Sequence, residues 1–174
     1  CGIVKRIYDL ARSGLRPRLA VSIGSVFEEK RKKIIPLSPE NSLSRLKQAV
    51  QFYRETTKRR ITFEYTLMAG INDHEEDAVT LARLARDVNA HINIIRYNRE
   101  VSRETLRDIQ GSDILPPHPK APYLLESHLQ TPVSGKVAAF KQILSSLGVR
   151  ASERYRRGND IAAACGQLVP LSIA

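Results

Sequence analysis

Three runs with a two-residue hydrophobic period, separated by stretches with a helical period, constrain this chain more than any other feature. In "ITFEYTL" (61–67), Ile61, Phe63, Tyr65 and Leu67 alternate with Thr62, Glu64 and Thr66. That is the pattern of a strand with one apolar face. "RLAVSIG" (18–24) sends Leu19, Val21 and Ile23 one way and Ala20, Ser22 and Gly24 the other, and "HINIIRY" (91–97) is a third run. "VRASERYRR" offers a fourth, with "DIAAACGQL" a short helix after it. The intervening stretches carry helical stripes: Ile3, Ile7, Leu10 and Ala11, stopped by Gly14; the charged "VFEEKRKKI"; Leu43, Leu46, Val50 and Tyr53; Ala78, Leu81, Ala85 and Val88; and Val137, Phe140, Leu144 and Leu147, ended by Gly148. Asp73 is expected to cap the fourth of these helices, with Glu76 three residues on. Residues 109–132 hold five prolines and no steady period, as a surface loop would.

One long element between successive strands implies parallel pairing. Two closures satisfy that rule, a doubly wound sheet and a β/α barrel. A sheet covered on both faces needs strands apolar on both sides. Here Ala20, Ser22 and Gly24 form one small or polar face, and Thr62, Glu64 and Thr66 another. The expectation is therefore an α/β chain forming part of a wide (β/α) barrel whose interior holds a polar ligand. Four strands are too few to close it. In either closure ligands gather at the carboxyl ends of strands, which singles out Ser22 to Gly24 and Asn98.

The chain has 28 Lys and Arg against 18 acids, a formal charge of +10. That excess suits a polyanionic partner, nucleic acid first. No apolar run approaches the ~18 residues of a membrane span, so no membrane role is expected. The two cysteines, Cys1 and Cys165, lie at opposite ends, and such sparse usage suits a reducing, cytoplasmic setting. A start on Cys1 inside a helical pattern suggests a chain truncated upstream.

"RRGNDIAAACGQL" (156–168) resembles the signature near the end of the RlmN/Cfr family of radical S-adenosylmethionine (SAM) enzymes. "LAVSIGSVFEEKRKKIIPL" (19–37) resembles that family's Ser-Leu-His strand and the helix after it. "RRITFEYTLMAGIND" (59–73) resembles its Glu-Tyr strand and Gly-Val-Asn-Asp turn, and "HINIIRYN" (91–98) its His-Val-Asn-Leu-Ile-x-x-Asn strand. The motifs stand in the family's order and span nearly the whole chain apart from 109–132.

The resemblance implies the C-terminal portion of a radical SAM partial barrel, residues 1–174, with the cluster-binding part upstream. It implies methylation of an adenosine carbon, C2 foremost, in ribosomal RNA first and transfer RNA second. Such a carbon, flanked by nitrogens, is a poor nucleophile and cannot attack a sulfonium methyl directly. The family's route, as implied, first places a methyl group on a cysteine, and Cys165 holds that position. A cysteine thiolate is the nucleophilic form, and Arg154, Arg156 and Arg157 just upstream could favour it. Ser22, Ile23 and Gly24 fall on one SAM-contacting segment and Asn98 on another. Cys1 and Gly2 continue a Ser-Thr-x-Gly motif.

A 4Fe-4S cluster and an electron donor are implied as well. The cluster needs a three-cysteine loop that this chain lacks, so no metal ligand is expected here and the 174 residues alone should be inactive. Gly24 stands where the family usually has His, Ala162 where an acid is common, and Arg99 where a proline often follows the Asn. These departures suit a divergent subfamily with another RNA or purine position, or a paralogue losing activity. Two alternatives stay open: a non-catalytic RNA-binding paralogue of the same fold, and a radical SAM enzyme with a non-RNA substrate.

Overall fold

The computed structural model describes residues 3–35, 39–97 and 130–154. Four parallel strands, β1 (Leu19–Ser22), β2 (Ile61–Leu67), β3 (His91–Arg96) and β4 (Ala151–Glu153), lie in one sheet in chain order. Each is entered from a helix. These are α1 (Val4–Arg12) before β1, α3 (Leu43–Thr57) before β2, α4 (Glu75–Asp87) before β3 and α5 (Ser134–Ser146) before β4. The short α2 (Glu28–Ile34) and a 3₁₀ turn (Pro39–Asn41) lie between β1 and α3. In-order parallel strands, each entered from a helix, are the repeating pattern of β/α barrels. The order therefore matches the partial barrel expected from the sequence.

The sheet is one-sided. Val21, Ile61, Phe63, Tyr65, Leu67, Ile92 and Ile94 are buried in one core cluster with the inward residues of the helices. Tyr65 stacks on Phe140 of α5 at 5.7 Å between ring centres, and Tyr8 of α1 meets Phe52 of α3 at 5.1 Å. Fully burying one such aliphatic or aromatic side chain is worth about 1.5–3 kcal/mol, so this face carries the fold's stability. The other face is left open by the described residues: Ala20 and Ser22 are exposed, and Thr62, Glu64, Thr66, His91, Asn93 and Ile95 are half-buried.

Helix boundaries follow local chemistry. Gly14 and Gly148 take φ of +79° and +75° just past α1 and α5, a backbone glycine reaches without a Cβ penalty. The start of α4 corrects one expectation. The helix begins at Glu75, with His74 as the flanking residue. Asp77 accepts the His74 N–H at 3.3 Å, while the Asp73 carboxylate accepts the Gly70 N–H at 2.8 Å. The reciprocal carboxylate is thus one residue later than Glu76, because Asp73 is used to close the turn after β2.

Candidate functional site

Strand register builds a polar row across the open face. Ser22 pairs with Glu64, Glu64 with Asn93, and Asn93 with Ser152. Neighbouring strands lie about 4.8 Å apart, so the row crosses the whole sheet. It is hydrogen-bonded: Asn93 Nδ2 donates to Glu64 Oε2 at 2.9 Å, and Ser152 Oγ donates to Asn93 Oδ1 at 3.2 Å. His91 Nε2 lies 2.7 Å from Ser152 Oγ. Burial, together with the nearby positive charges of Arg60 and Arg150, pushes the His91 pKa down. A neutral imidazole is favoured there. Asn93 holds the Glu64 carboxylate in one orientation, leaving its other oxygen and the exposed Ser22 hydroxyl without a hydrogen-bond partner among the described residues. The open face therefore offers a fixed acceptor and a free hydroxyl above an apolar layer.

The turn after β1 is held from beneath by two buried side chains. Asn72, fully buried, donates through Nδ2 to Gly24 O at 2.7 Å and to Thr66 O at 2.8 Å, and its Oδ1 accepts the Met68 N–H at 2.7 Å. Tyr65 Oη donates to Asn72 O at 3.0 Å. Burial, then the carboxylates of Asp77 and Asp73, raise the Tyr65 pKa far above a phenol's usual value, so the group stays a donor. Arg31, also fully buried, donates from Nε to Ile23 O at 3.1 Å and from Nη1 to Asn41 O at 2.8 Å. Burial lowers its pKa against the opposing pull of Glu28, 3.8 Å away. Its Nη2 has no hydrogen-bond partner among the described residues.

The candidate residues from the sequence are distributed as follows. Ser22 ends β1 on the open face, at the carboxyl end. Ile23 is buried with its side chain in the core, so it presents only backbone to the site. Gly24 is buried at φ +73°, and a Cβ there would lie 2.5 Å from Ile35 Cδ1. The left-handed backbone favours glycine here, and a larger residue would also have to move the Ile35 side chain. Asn98, Cys165, Cys1, Gly2, Arg99, Arg156, Arg157 and Ala162 lie outside the described residues.

Sequence reasoning placed Glu64 on a polar face but did not single it out. It missed Asn93, His91 and Ser152, and it missed the clamps Arg31 and Asn72. Alternation in "HINIIR" could have put Asn93 beside Glu64 only with the strand register known. Among the described residues no three His, Cys, Asp or Glu side chains are grouped to hold a metal ion. The chain's two cysteines could not form a three-cysteine loop, so its residues do not supply the ligand set of an iron–sulfur cluster. No described helix is long and apolar enough to cross a membrane.

No protein-family model matches the chain. A protein of Thermus thermophilus named "Probable dual-specificity RNA methyltransferase RlmN" is 41% identical over 167 residues, covering 96% of this chain and 40% of that protein. A Clostridium perfringens protein of the same name is 36% identical over 172 residues, covering 97% and 42%. The crystal structure of a radical SAM methyltransferase from Sphaerobacter thermophilus superposes with a TM-score of 0.74 at 36% identity, over 95% of this chain and 42% of that one. A domain of a pyruvate-formate lyase-activating enzyme from Bacteroides vulgatus shares the fold alone, with a TM-score of 0.58 at 14% identity over 87% of this chain and 74% of that one. The chain spans about two fifths of the length of the curated relatives. Along nearly all of its residues it is similar to the C-terminal part of RlmN-like radical SAM methyltransferases, and its four-stranded parallel sheet is part of that fold.

Proposed function

We propose that the protein containing these 174 residues is a radical SAM RNA methyltransferase, and that residues 1–174 are the C-terminal portion of its partial barrel. The observation that carries the reading is the polar row Ser22–Glu64–Asn93–Ser152 on the open face of an otherwise apolar parallel sheet. The identity to RlmN-named relatives across 96% of the chain adds to it. An interior of this kind suits a ligand rich in hydroxyl, ammonium and carboxylate groups, such as SAM. Ser22 would bind at the carboxyl end of β1, the backbone of Ile23 and Gly24 would line the approach, and Asn98 would complete the contact from the segment after β3. Glu64, fixed by Asn93, is the acceptor the sheet offers to a donor on that ligand. SAM would supply the methyl group, and a reduced 4Fe-4S cluster, whose ligands this chain does not provide, would supply the electron for radical chemistry.

Cys165 is the proposed methyl acceptor. Its thiolate, formed as the thiol proton passes to solvent or a nearby base, would attack the SAM methyl carbon, so that the bond to the cysteine sulfur forms as the methyl–sulfonium bond breaks and S-adenosylhomocysteine leaves. The target is an adenosine carbon, C2 foremost, in ribosomal RNA first and transfer RNA second, in the cytoplasm. The nucleotide would have to leave its stack to reach the interior.

The test is anaerobic expression of the full-length gene and mass spectrometry of the Cys165 peptide. A methyl group on that cysteine, lost together with RNA methylation in Cys165→Ala, is the expected result. An unmodified peptide from a protein that methylates RNA overturns the assignment. One observation favours a second reading: Gly24 stands at a position where the resembled family has His, and Ile35 fills the adjoining space. A divergent protein that binds RNA without methylating it would show RNA binding but no labelled product with SAM.

A further inference from the structure

The amino end of the sheet is far more basic than the carboxyl end. The described connections from strand to helix at the carboxyl ends, 23–28 and 68–77, hold five acids and no Lys or Arg. The amino-end segments, 12–18, 54–60, 83–91 and 145–150, hold ten Lys and Arg against two acids. The amino-end segments therefore carry a net charge of +8, against −5 for the carboxyl-end connections, where Lys30 pairs with Glu76 and Asp77. Three of the four strands are entered directly from an arginine: Arg18 before Leu19, Arg60 before Ile61 and Arg150 before Ala151. One of the two acids, Asp87, is already bound by Lys47 of α3.

Helix ends alone do not account for this. Each helix C-terminus is equivalent to roughly half a negative charge, so four of them offset about two cations. At the starts of β2, β3 and β4 the surface is concave: Arg60, Arg86, Asn89, His91 and Arg150 line a cleft of about 400 Å³. Arg60, Arg86 and Arg150 are exposed, and none forms an ion pair with an acid among the described residues. Unpaired guanidiniums gathered round a cleft repel one another unless an anion joins them. Guanidinium also suits phosphate, through its fork of N–H donors.

We infer that this amino-end pole is a second RNA-docking surface, in which Arg60, Arg86 and Arg150 hold phosphodiester groups about 20 Å from the carboxyl-end mouth, a strand's length away. The choice of RNA as the polyanion rests on the function proposed above. A flat anionic membrane fits less well, because the cations ring a cleft and only one large apolar side chain of this pole, Leu15, is exposed. Anchoring the backbone far from the mouth would let a large RNA bind tightly while only one nucleotide enters the interior.

The test uses the full-length protein and an unmodified RNA hairpin, with binding measured from 0.05 to 0.5 M salt. The variant is Arg60→Gln/Arg86→Gln/Arg150→Gln. A charge-matched triple elsewhere, Lys5→Gln/Lys33→Gln/Lys136→Gln, is the comparison. Losing three phosphate contacts should flatten the slope of log affinity against log salt by about 2–3 and weaken binding on the order of 50-fold near 0.15 M. Thermal unfolding should be unchanged, since all three arginines are exposed. Unaltered RNA affinity, equal losses in the two triples, or loss of binding to phosphatidylserine vesicles without loss of RNA binding would each overturn the inference. RNA methylation with an unaltered KM for RNA in the arginine triple sinks this inference and leaves the proposed function standing. Salt-dependent RNA binding that maps to this pole in a protein without methyltransferase activity does the reverse.

Discussion

Asn72→Ala removes the side chain that ties β1 to β2 at their carboxyl ends. Three short hydrogen bonds end with it: those to the carbonyls of Gly24 and Thr66, and that from the Met68 amide, at 2.7, 2.8 and 2.7 Å. Asn72 is fully buried, so water does not replace them without opening the turn. Each buried group left unpaired costs about 1–3 kcal/mol, and relaxation of the turn will recover part of the total, leaving a loss of about 3–5 kcal/mol. For a unit of 150–250 residues 1 kcal/mol shifts the midpoint by about 2–4 °C, and less for a longer chain, so a fall of roughly 5 °C or more in thermal unfolding of the full-length protein is expected. Asn72→Asp is the sharper variant. It keeps the acceptor for Met68 but loses both donated bonds, and it puts a carboxylate in a fully buried site beside Asp73. It should be at least as destabilising as alanine. A loss below about 1 kcal/mol in either variant would refute the reasoning, because the carbonyls would then have found other donors.

Gly24→Ala should cost about 1–3 kcal/mol, from the left-handed backbone and from a Cβ that would meet Ile35 Cδ1 at 2.5 Å. Adding Ile35→Ala should leave a double-mutant coupling in chemical denaturation that partly restores the steric share; strictly additive losses would exclude the clash. The pKa of His91 is held below its ordinary value of 6.5 by burial and by Arg60 and Arg150. The unfolded chain therefore takes up the proton first, and stability falls as pH drops through 6.5 until the folded imidazole is itself protonated. His91→Gln should flatten that limb of the stability–pH curve; an unchanged curve would place the titration elsewhere. Desolvation pulls the Glu153 carboxyl up, but its bonds to Arg96 and Lys141 outweigh this and hold it below 4.5. Its contribution is present above that pH and lost as pH falls through the folded pKa, and Glu153→Gln should remove this acid-side loss. The 174 residues alone, with SAM, a reductant and unmodified ribosomal RNA, should show no turnover. Methylation by this chain alone would overturn the view that the cluster is held outside it.

The apolar half of the fold was legible in the sequence, because burial imposes a period. Ile61, Phe63, Tyr65 and Leu67 read as one face of a strand and are one face of β2. Ala78, Leu81, Ala85 and Val88 read as a helix face and are buried together. One-sided polarity of the first two strands also pointed to an open interior rather than a doubly covered sheet. The polar half was legible only in part. Ser22 and Glu64 could be assigned to a polar face, but their alignment with Asn93 and Ser152 depends on register, which local sequence does not encode. Arg31 and Asn72 were invisible for a different reason. A buried arginine in "EEKRKKI" looks like its exposed neighbours, and an asparagine in "GIND" looks like a turn residue, until the carbonyls they bind are placed in space.

Those two clamps bear on how a ligand site can be precise on so short a strand. β1 spans only Leu19–Ser22, and the turn after it has little ladder to hold it beyond the Ile23 N–H donating to Glu64 O at 3.0 Å. Arg31 takes the Ile23 carbonyl and Asn72 the Gly24 carbonyl from the protein side. Two successive peptide groups are thereby fixed beside Ser22, whose hydroxyl is left on the open face. Asn72 also bonds the end of β2 through Thr66, so β1 cannot shift at its carboxyl end without β2. Preorganisation of this kind lowers the ordering cost of binding. On the function proposed above, loosening it should weaken SAM binding in Asn72 variants of the full-length protein beyond what their loss of folded protein explains. Calorimetric titration of the folded fraction separates the two effects, and an unchanged Kd would mean that the turn is held for stability alone.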